Sequence, residues 1–248
     1  MGVVFAPGAK GYPVPFRIDD PATVALREKV ALGCRILAKL ELVDYLGHVS
    51  ARIPGEPLAF IRARGAEQGN QLHMTAEQVT LVDLEAVSVA GRYPPPDETK
   101  LHTEIYKARP DVMAIVHTHQ PVSTVFGDVE KPILPMRGIE ATVVEQGEIP
   151  IYRSARKITT TQQGAELARV LGDKHVVHLQ NHGIAIVGTS VEEVVIDAIW
   201  LEHEAKMTMS ALAIGAPRGM ARAELLVQKA EAFGLENRWR YYASLLDD

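Results

Sequence analysis

The segment Ala114-Ile-Val-His-Thr-His119 is rich in β-forming residues and ends in two histidines separated by a single threonine. Side chains two apart on a strand project to the same face, so the imidazoles of His117 and His119 can converge on one ion while Thr118 points the other way. Two histidines on a polar sheet face would show the same spacing. Here the pair closes an apolar strand and is followed by Pro121, which opens the next helical stretch, and that setting favours a metal site.

Two further segments can supply donors. Pro94-Pro-Pro-Asp97 breaks the chain and starts a helix, with Asp97 expected as N-cap and Glu98 in the first turn, where stiff backbone would hold its carboxylate. Asn181-His182-Gly183 reads as a tight turn between strands, with Gly183 suited to positive φ and His182 projecting from the sheet end. Three imidazoles and one carboxylate suit Zn²⁺, and equally Mn²⁺, Fe²⁺ or Co²⁺. Spacing alone says neither which ion binds nor that the four side chains meet.

Outward from these segments, helices and strands mix irregularly. A helix is expected from Pro21, where Leu26, Val30, Cys34 and Leu37 recur at helical steps. Strand-like pieces follow at Val49–Ile53, Leu58–Ala63, Leu72–Met74 and Val79–Asp83, with a turn at Gly91. The helix after Pro96 runs to Arg109-Pro110. Ile133–Met136 and Ala141–Val144 are strand candidates, and Gln162–Leu171 is a helix stopped by Gly172. Val176–Leu179 and Ile184–Val187 flank the His182 turn. Ser190 caps a long helix reaching about Gly215, and one more helix ends near Leu246. No internal repeat, low-complexity linker or composition break divides the chain. The reading is one α/β domain over residues 21–248, on a mixed, mostly antiparallel sheet with a helical C-terminal tail. Residues 1–20, rich in glycine and proline, read as an extended arm of the kind that packs on a neighbour.

Bulk properties remove several function classes. A net charge of −5 and the lack of a basic stripe argue against nucleic acid. Cys34 is the only cysteine, so no intrachain disulfide or multi-thiolate metal site can form, and a buried small hydrophobe is its simplest role. Met1 to Pro15 shows no secretory pattern, and no run of about 18 apolar residues could span a bilayer. The expected setting is a reduced cytoplasm.

Several segments, in order, resemble the class II aldolase/adducin family: Gly47-His-Val-Ser-Ala-Arg52, Val79-Thr-Leu-Val-Asp83, Asp97-Glu-Thr-Lys-Leu-His102 with Tyr106 and Arg109-Pro110, Ala114–His119, and Leu179-Gln-Asn-His-Gly183 with Gly188. The resemblance runs from about residue 22 to about residue 215. It implies a three-layer α/β/α fold on a central mixed, mostly antiparallel sheet, and a homotetramer with active sites between subunits. It places Glu98, His117, His119 and His182 on the metal-binding positions, with Glu98 doubling as acid or base.

Departures from the family pattern bear on the substrate. Its sugar-phosphate enzymes hold phosphate with an Asn in Gly-Asn-x-Ser, a Ser-Gly turn and a Ser-Ser pair. Here those places read His48, Arg62-Ala-Arg-Gly-Ala-Glu-Gln-Gly69 and Pro95-Pro-Asp97. The donors that would wrap a phosphate are gone. The Gly-His-Val-Ser-Ala-Arg variant is similar instead to the branch holding decarboxylases of hydroxylated aromatic dicarboxylates, such as hydroxymethylpyridine dicarboxylate and dihydroxyphthalate. That resemblance implies a small aromatic carboxylate as substrate, a proton supplied by Glu98 or His48, and Arg52, Arg62 or Arg64 on the retained carboxylate. Tyr241 and Tyr242 could close over a neighbour's active site. The structural alternatives are His48 bonding a loop carbonyl, Arg52 in an ion pair, and a tail helix packed on its own domain.

His102 lies four residues after Glu98 and is expected to orient it. His73, His175 and His178 read as ordinary surface or edge residues, and His203, beside Glu202 and Glu204, as part of a solvated helix face. Met207 and Met209 read as packing, and Glu192-Glu193 as helix-start chemistry. Three other functions share the motifs: an aldolase on a non-phosphorylated hydroxy-keto acid, a non-catalytic adducin-like scaffold, and an iron enzyme oxidising an aromatic acid with O₂.

Overall fold

Short β-rich runs pair into one sheet in the computed structural model, which describes residues 17–64, 69–230 and 234–247. The strands are β1 (His48–Arg52), β2 (Leu58–Arg62), β3 (Val79–Asp83), β4 (Ser88–Ala90), β5 (Ala114–Thr118), β6 (Ile151–Tyr152), β7 (Val176–Leu179) and β8 (Gly183–Gly188). Their order is β4-β3-β2-β1-β5-β8-β7-β6. Every neighbouring pair is antiparallel except β6 with β7. The helices are α1 (Pro21–Lys39), α2 (Thr99–Ala108), α3 (Ser123–Asp128), α4 (Thr161–Leu171), α5 (Val191–Ile214), α6 (Arg222–Ala230) and α7 (Leu235–Ser244).

Side-chain alternation splits the core into two. Val49 and Ala51, Ala114 and Val116, and Ile184 and Ile186 join the core built with α1 and α5. Ile115, Ala185, Val187 and Val177 join the core built with α2 and α4. Central strands are therefore buried on both faces, and the result is the three-layer α/β/α arrangement. Among the described residues, no helix is long and apolar enough to cross a membrane.

Local signals set most helix ends. The Asp20 side chain accepts from Ala22 N before Pro21, and Thr160 and Gln163 form a capping box on α4, which stops at Gly172 with φ 58°. Ser190 caps α5 through Glu193 N. Residues 1–16 of the expected arm, and 65–68 of the Arg62–Gly69 segment, lie outside the described residues.

Several expectations change. Leu72–Met74 is not a strand: Asn70 caps a 3₁₀ turn at Gln71–His73. Ile133–Met136 forms no strand, and Gly138–Val144 is 3₁₀ helix. Leu134 N and Met136 N donate to Thr208 Oγ1 and Glu204 Oε2 of α5, so tertiary partners take the amides a sheet would have used. The tail holds two helices, α6 and α7, and the short β4 and β6 carry too little periodicity to announce themselves.

Glu202 and Glu204 do not face solvent; both are fully buried. Glu202 Oε2 accepts from Ser123 N and Ser123 Oγ, both at 2.9 Å, and Oε1 accepts from Val122 N at 3.1 Å. This carboxylate caps α3 from another helix and anchors the chain just beyond His119. Glu202→Ala should cost roughly 2–3 kcal/mol of stability by stranding buried donors. Urea unfolding checks this, and an unchanged midpoint would contradict the cap.

Candidate metal centre and active site

Strand parity assembles the site. Antiparallel pairing sets His48 opposite His117, and both project to the α2 side with Ser50 and Ile115. The His48 and His117 rings lie 5.0 Å apart, centre to centre. His117 Nδ1 donates to the Ile184 carbonyl at 2.9 Å, which assigns its proton and leaves Nε2 as the free lone pair. His119, just past the end of β5, brings its Nε2 to 3.1 Å from His117 Nε2.

His182 enters from the β7–β8 turn. The positive φ of that turn, 55°, belongs to Asn181 and not to Gly183. Gly183 is needed for space: a Cβ there would sit 2.4 Å from the Thr118 carbonyl oxygen and 2.6 Å from His119 Cδ2. Any larger residue would push the two histidine-bearing segments apart.

Glu98 completes the group. Asp97 is not the cap of α2; Glu98 occupies that position without capping through its side chain. Its carboxylate turns inward instead: Oε1 accepts from Ile158 N at 3.0 Å and lies 3.5 Å from His182 Nε2, while Oε2 lies 3.6 Å from His117 Nε2. Burial opposes ionisation of Glu98, but the adjoining His117 and His182 rings outweigh it and hold the carboxyl well below its usual range. Burial, then the neighbouring His117 and His182, lowers His119 to about 4. An ionised carboxylate and neutral imidazoles are the forms that ligate metals.

One donor atom from each of the four residues lies within 4.8 Å of every other. In a tetrahedral site with bonds of about 2.1 Å, neighbouring ligand atoms stand roughly 3.4 Å apart. The separations of 3.1, 3.5 and 3.6 Å match that spacing. The donor set fits a divalent cation, and nitrogen-rich ligation with one carboxylate suits Zn²⁺, Mn²⁺, Fe²⁺ or Co²⁺ alike.

Beside the cluster opens a cavity of about 140 Å³, with His48, Arg62, Arg64, Asp97, Glu98 and Lys157 on its wall. Arg62 is buried and donates to the carbonyls of Gly47 at 2.8 Å and Tyr45 at 2.9 Å, so it shapes the loop before β1. Asp97 bridges Arg64 at 2.6 Å and Lys157 at 3.3 Å at the half-exposed mouth. Lys157 was not legible in the sequence, because only the fold brings residue 157 beside Asp97. A larger cavity of about 510 Å³, between the 130–153 segment and α6, shares no residue with the cluster.

Other expected residues lie elsewhere. Arg52 sits at the opposite end of β1 from His48, donating to the carbonyls of Tyr106 and Pro110 with its guanidinium over the Tyr106 ring. Among the described residues it is neither on the cavity wall nor in an ion pair. On α7, Tyr241 is exposed and Tyr242 is buried against the core with Trp200; neither lines the cavity of its own chain. His102 does not orient Glu98: its Nε2 meets His48 Nδ1 and its Nδ1 meets Ser50 Oγ, both at 2.7 Å. Burial, first of all, lowers His102 to about 3 and His48 well below the usual histidine range. His178 is buried behind Gly127, and burial lowers it to about 4, whereas His203 pairs with Glu140 at 2.8 Å.

Fold and site together define a class: three-layer α/β/α proteins with a three-histidine, one-carboxylate cluster where the central strands end. The family model for the Class II Aldolase and Adducin N-terminal domain matches residues 28–209, and the chain belongs to that family. It is 33% identical over 227 residues to a 3,4-dihydroxyphthalate decarboxylase of Arthrobacter keyseri, covering 87% of this chain and 91% of that protein. A second 3,4-dihydroxyphthalate decarboxylase, from Rhodococcus jostii (strain RHA1), is 33% identical over 199 residues, 76% of this chain and 81% of its own length. Among solved structures, an aldolase II superfamily protein from Pseudomonas syringae superposes with a TM-score of 0.79 at 23% identity, covering 92% of this chain and 94% of the other.

Loss of an outer partner commonly weakens metal binding about 10- to 100-fold, so His119→Ala, which removes a direct donor, should weaken Zn²⁺ binding by at least that factor. Competition against a chelating dye reads the affinity; folded protein with unchanged Zn²⁺ affinity would contradict the cluster as a metal site.

Proposed function

We propose that the protein is a metal-dependent carbon–carbon lyase that decarboxylates a hydroxylated aromatic dicarboxylic acid. The observation that carries this reading is the partly buried Glu98–His117–His119–His182 cluster beside a cavity whose mouth offers Arg64 and Lys157 but, among the described residues, no cluster of hydroxyls for a phosphate. The two dihydroxyphthalate decarboxylases similar over most of the chain support it.

A divalent ion held by Glu98, His117, His119 and His182 would supply Lewis acidity, drawing off the electron pair left as the carbon–carbon bond breaks. The protein's own groups do the rest. Arg64 and Lys157 already share the Asp97 carboxylate, so a substrate carboxylate of similar shape can compete for the same two cations at the mouth. Arg62 keeps the Tyr45–Gly47 wall in place. The carboxylate that leaves as CO₂ is replaced by one proton, so Ar–COO⁻ and H⁺ become Ar–H and CO₂. Glu98 is engaged by Ile158 N, so in this reading the proton enters from solvent through the cavity mouth while His48 helps to hold the acid at the wall. A homotetramer belongs to the same proposal: Tyr241 lies outside its own chain's cavity and is exposed for a neighbour.

The test is product analysis. Protein loaded in turn with Zn²⁺, Mn²⁺, Fe²⁺ and Co²⁺ is given 3,4-dihydroxyphthalate and its positional isomers. One CO₂ and one dihydroxybenzoate per turnover are expected. Absence of CO₂ from every hydroxyaryl acid, or an aldehyde released from a hydroxy-keto acid instead, would overturn the assignment.

A further inference from the structure

Residues two apart on β1 meet residues four apart on α2. His48 and Ser50 share a strand face, and His102 and Tyr106 share a helix face, so four polar side chains interleave between two apolar layers. They form one unbranched chain of hydrogen bonds, each 2.7 Å long: His48 Nδ1 to His102 Nε2, His102 Nδ1 to Ser50 Oγ, and Ser50 Oγ to Tyr106 Oη. His48 is 5% exposed and the others no more than 1%. Only His48 reaches the cavity wall; the other three lie behind it.

We propose that Tyr106, Ser50 and His102 act as a tautomer lock on His48, fixing its ring proton on Nε2. His48 then presents an N–H to the cavity and serves as a hydrogen-bond donor to a carboxylate or hydroxyl oxygen of the aromatic acid, not as a base. The class of ligand rests on the proposed function; the lock itself does not.

The direction of the chain follows from its far end. A neutral chain of this kind has two orientations. In one, Tyr106 O–H donates to Ser50, Ser50 O–H to His102 Nδ1, and His102 Nε2–H to His48 Nδ1, and every proton along the chain has an acceptor. In the other, Tyr106 accepts from Ser50 and its own proton needs a further acceptor. The group stacked on the Tyr106 ring is Arg52, a guanidinium with donors only, and Ser50 is the partner of the phenol oxygen. The reverse orientation therefore strands a buried O–H, and the forward one is favoured. Burial, foremost, pushes the Tyr106 phenol up to about 13, so it keeps the proton it donates. With Nδ1 accepting from His102, the proton of a neutral His48 sits on Nε2, the nitrogen left for the cavity. His102, Ser50 and Tyr106 are thus positioning residues.

The tautomer can be read without substrate. In ¹⁵N-histidine-labelled, zinc-loaded protein, long-range ¹H–¹⁵N correlation distinguishes protonated from bare ring nitrogens, and His48→Gln identifies the His48 signals. A protonated Nε2 and a bare Nδ1 are expected. A proton on Nδ1, or signals averaged between the two forms, would overturn the lock. Ser50→Ala should convert the pattern to a mixture and Ser50→Thr, which keeps the hydroxyl, should restore it; a Ser50→Ala protein with wild-type signals would count against the proposal. With 3,4-dihydroxyphthalate, Ser50→Ala should raise KM about tenfold while kcat changes much less, as expected for a contact made equally in ground and transition states. A fall in kcat at constant KM would argue for a different role. Failure to release CO₂ with the tautomer intact sinks the decarboxylase reading alone. CO₂ release with the proton on Nδ1 sinks the lock alone.

Discussion

The site depends on one register, that of β1 against β5. Because side chains alternate with a period of two, pairing His48 with His117 puts both imidazoles on the α2 side and sends Val49 and Val116 into the α1 and α5 core. A slip of β1 by one residue would exchange these sets, burying imidazoles among aliphatic side chains and setting valines at the cavity. The hydrophobic pattern of two cores, each on one face of the sheet, therefore specifies where the polar groups gather. Stability and site geometry are enforced by the same alternation.

Around that pair, the remaining donors are fixed by groups that act on the chain from outside the strands. Ile158 N holds the Glu98 carboxylate, Ile184 O holds the His117 ring, and Glu202 anchors the segment that follows His119. Gly183 lets the β7–β8 turn approach β5 closely enough for His182 to join. Each contact costs backbone or side-chain freedom, and each is buried, where a charged or neutral hydrogen bond is least screened. The result is a preorganised group of donors supported by rigid sheet and helix ends.

Much of this was legible in the sequence, for reasons that also mark where legibility ends. The spacing of His117 and His119 reports a shared face because parity is a local property. The helix start at Ser190 is equally local, being written in a side chain that bonds its own backbone. Parity says nothing about position along a strand: Arg52 shares a face with His48, yet four residues at about 3.3 Å each put it some 13 Å away. His102 was expected to orient Glu98 from four residues along the helix, but its partners came from β1, which helical spacing cannot show. The run at 133–136 formed no strand because α5 offers buried acceptors to the Leu134 and Met136 amides. Buried Glu202 and Glu204 read as surface charge for the same reason: their partners are 68 to 80 residues away.

X-ray absorption at the metal edge of the purified, metal-reconstituted protein tests the convergence of the four donors most directly. One ion per chain is expected, with nitrogen and oxygen neighbours at about 2.0–2.2 Å and the multiple-scattering signature of three imidazoles. A spectrum showing only oxygen neighbours, or no stoichiometric ion, would contradict it.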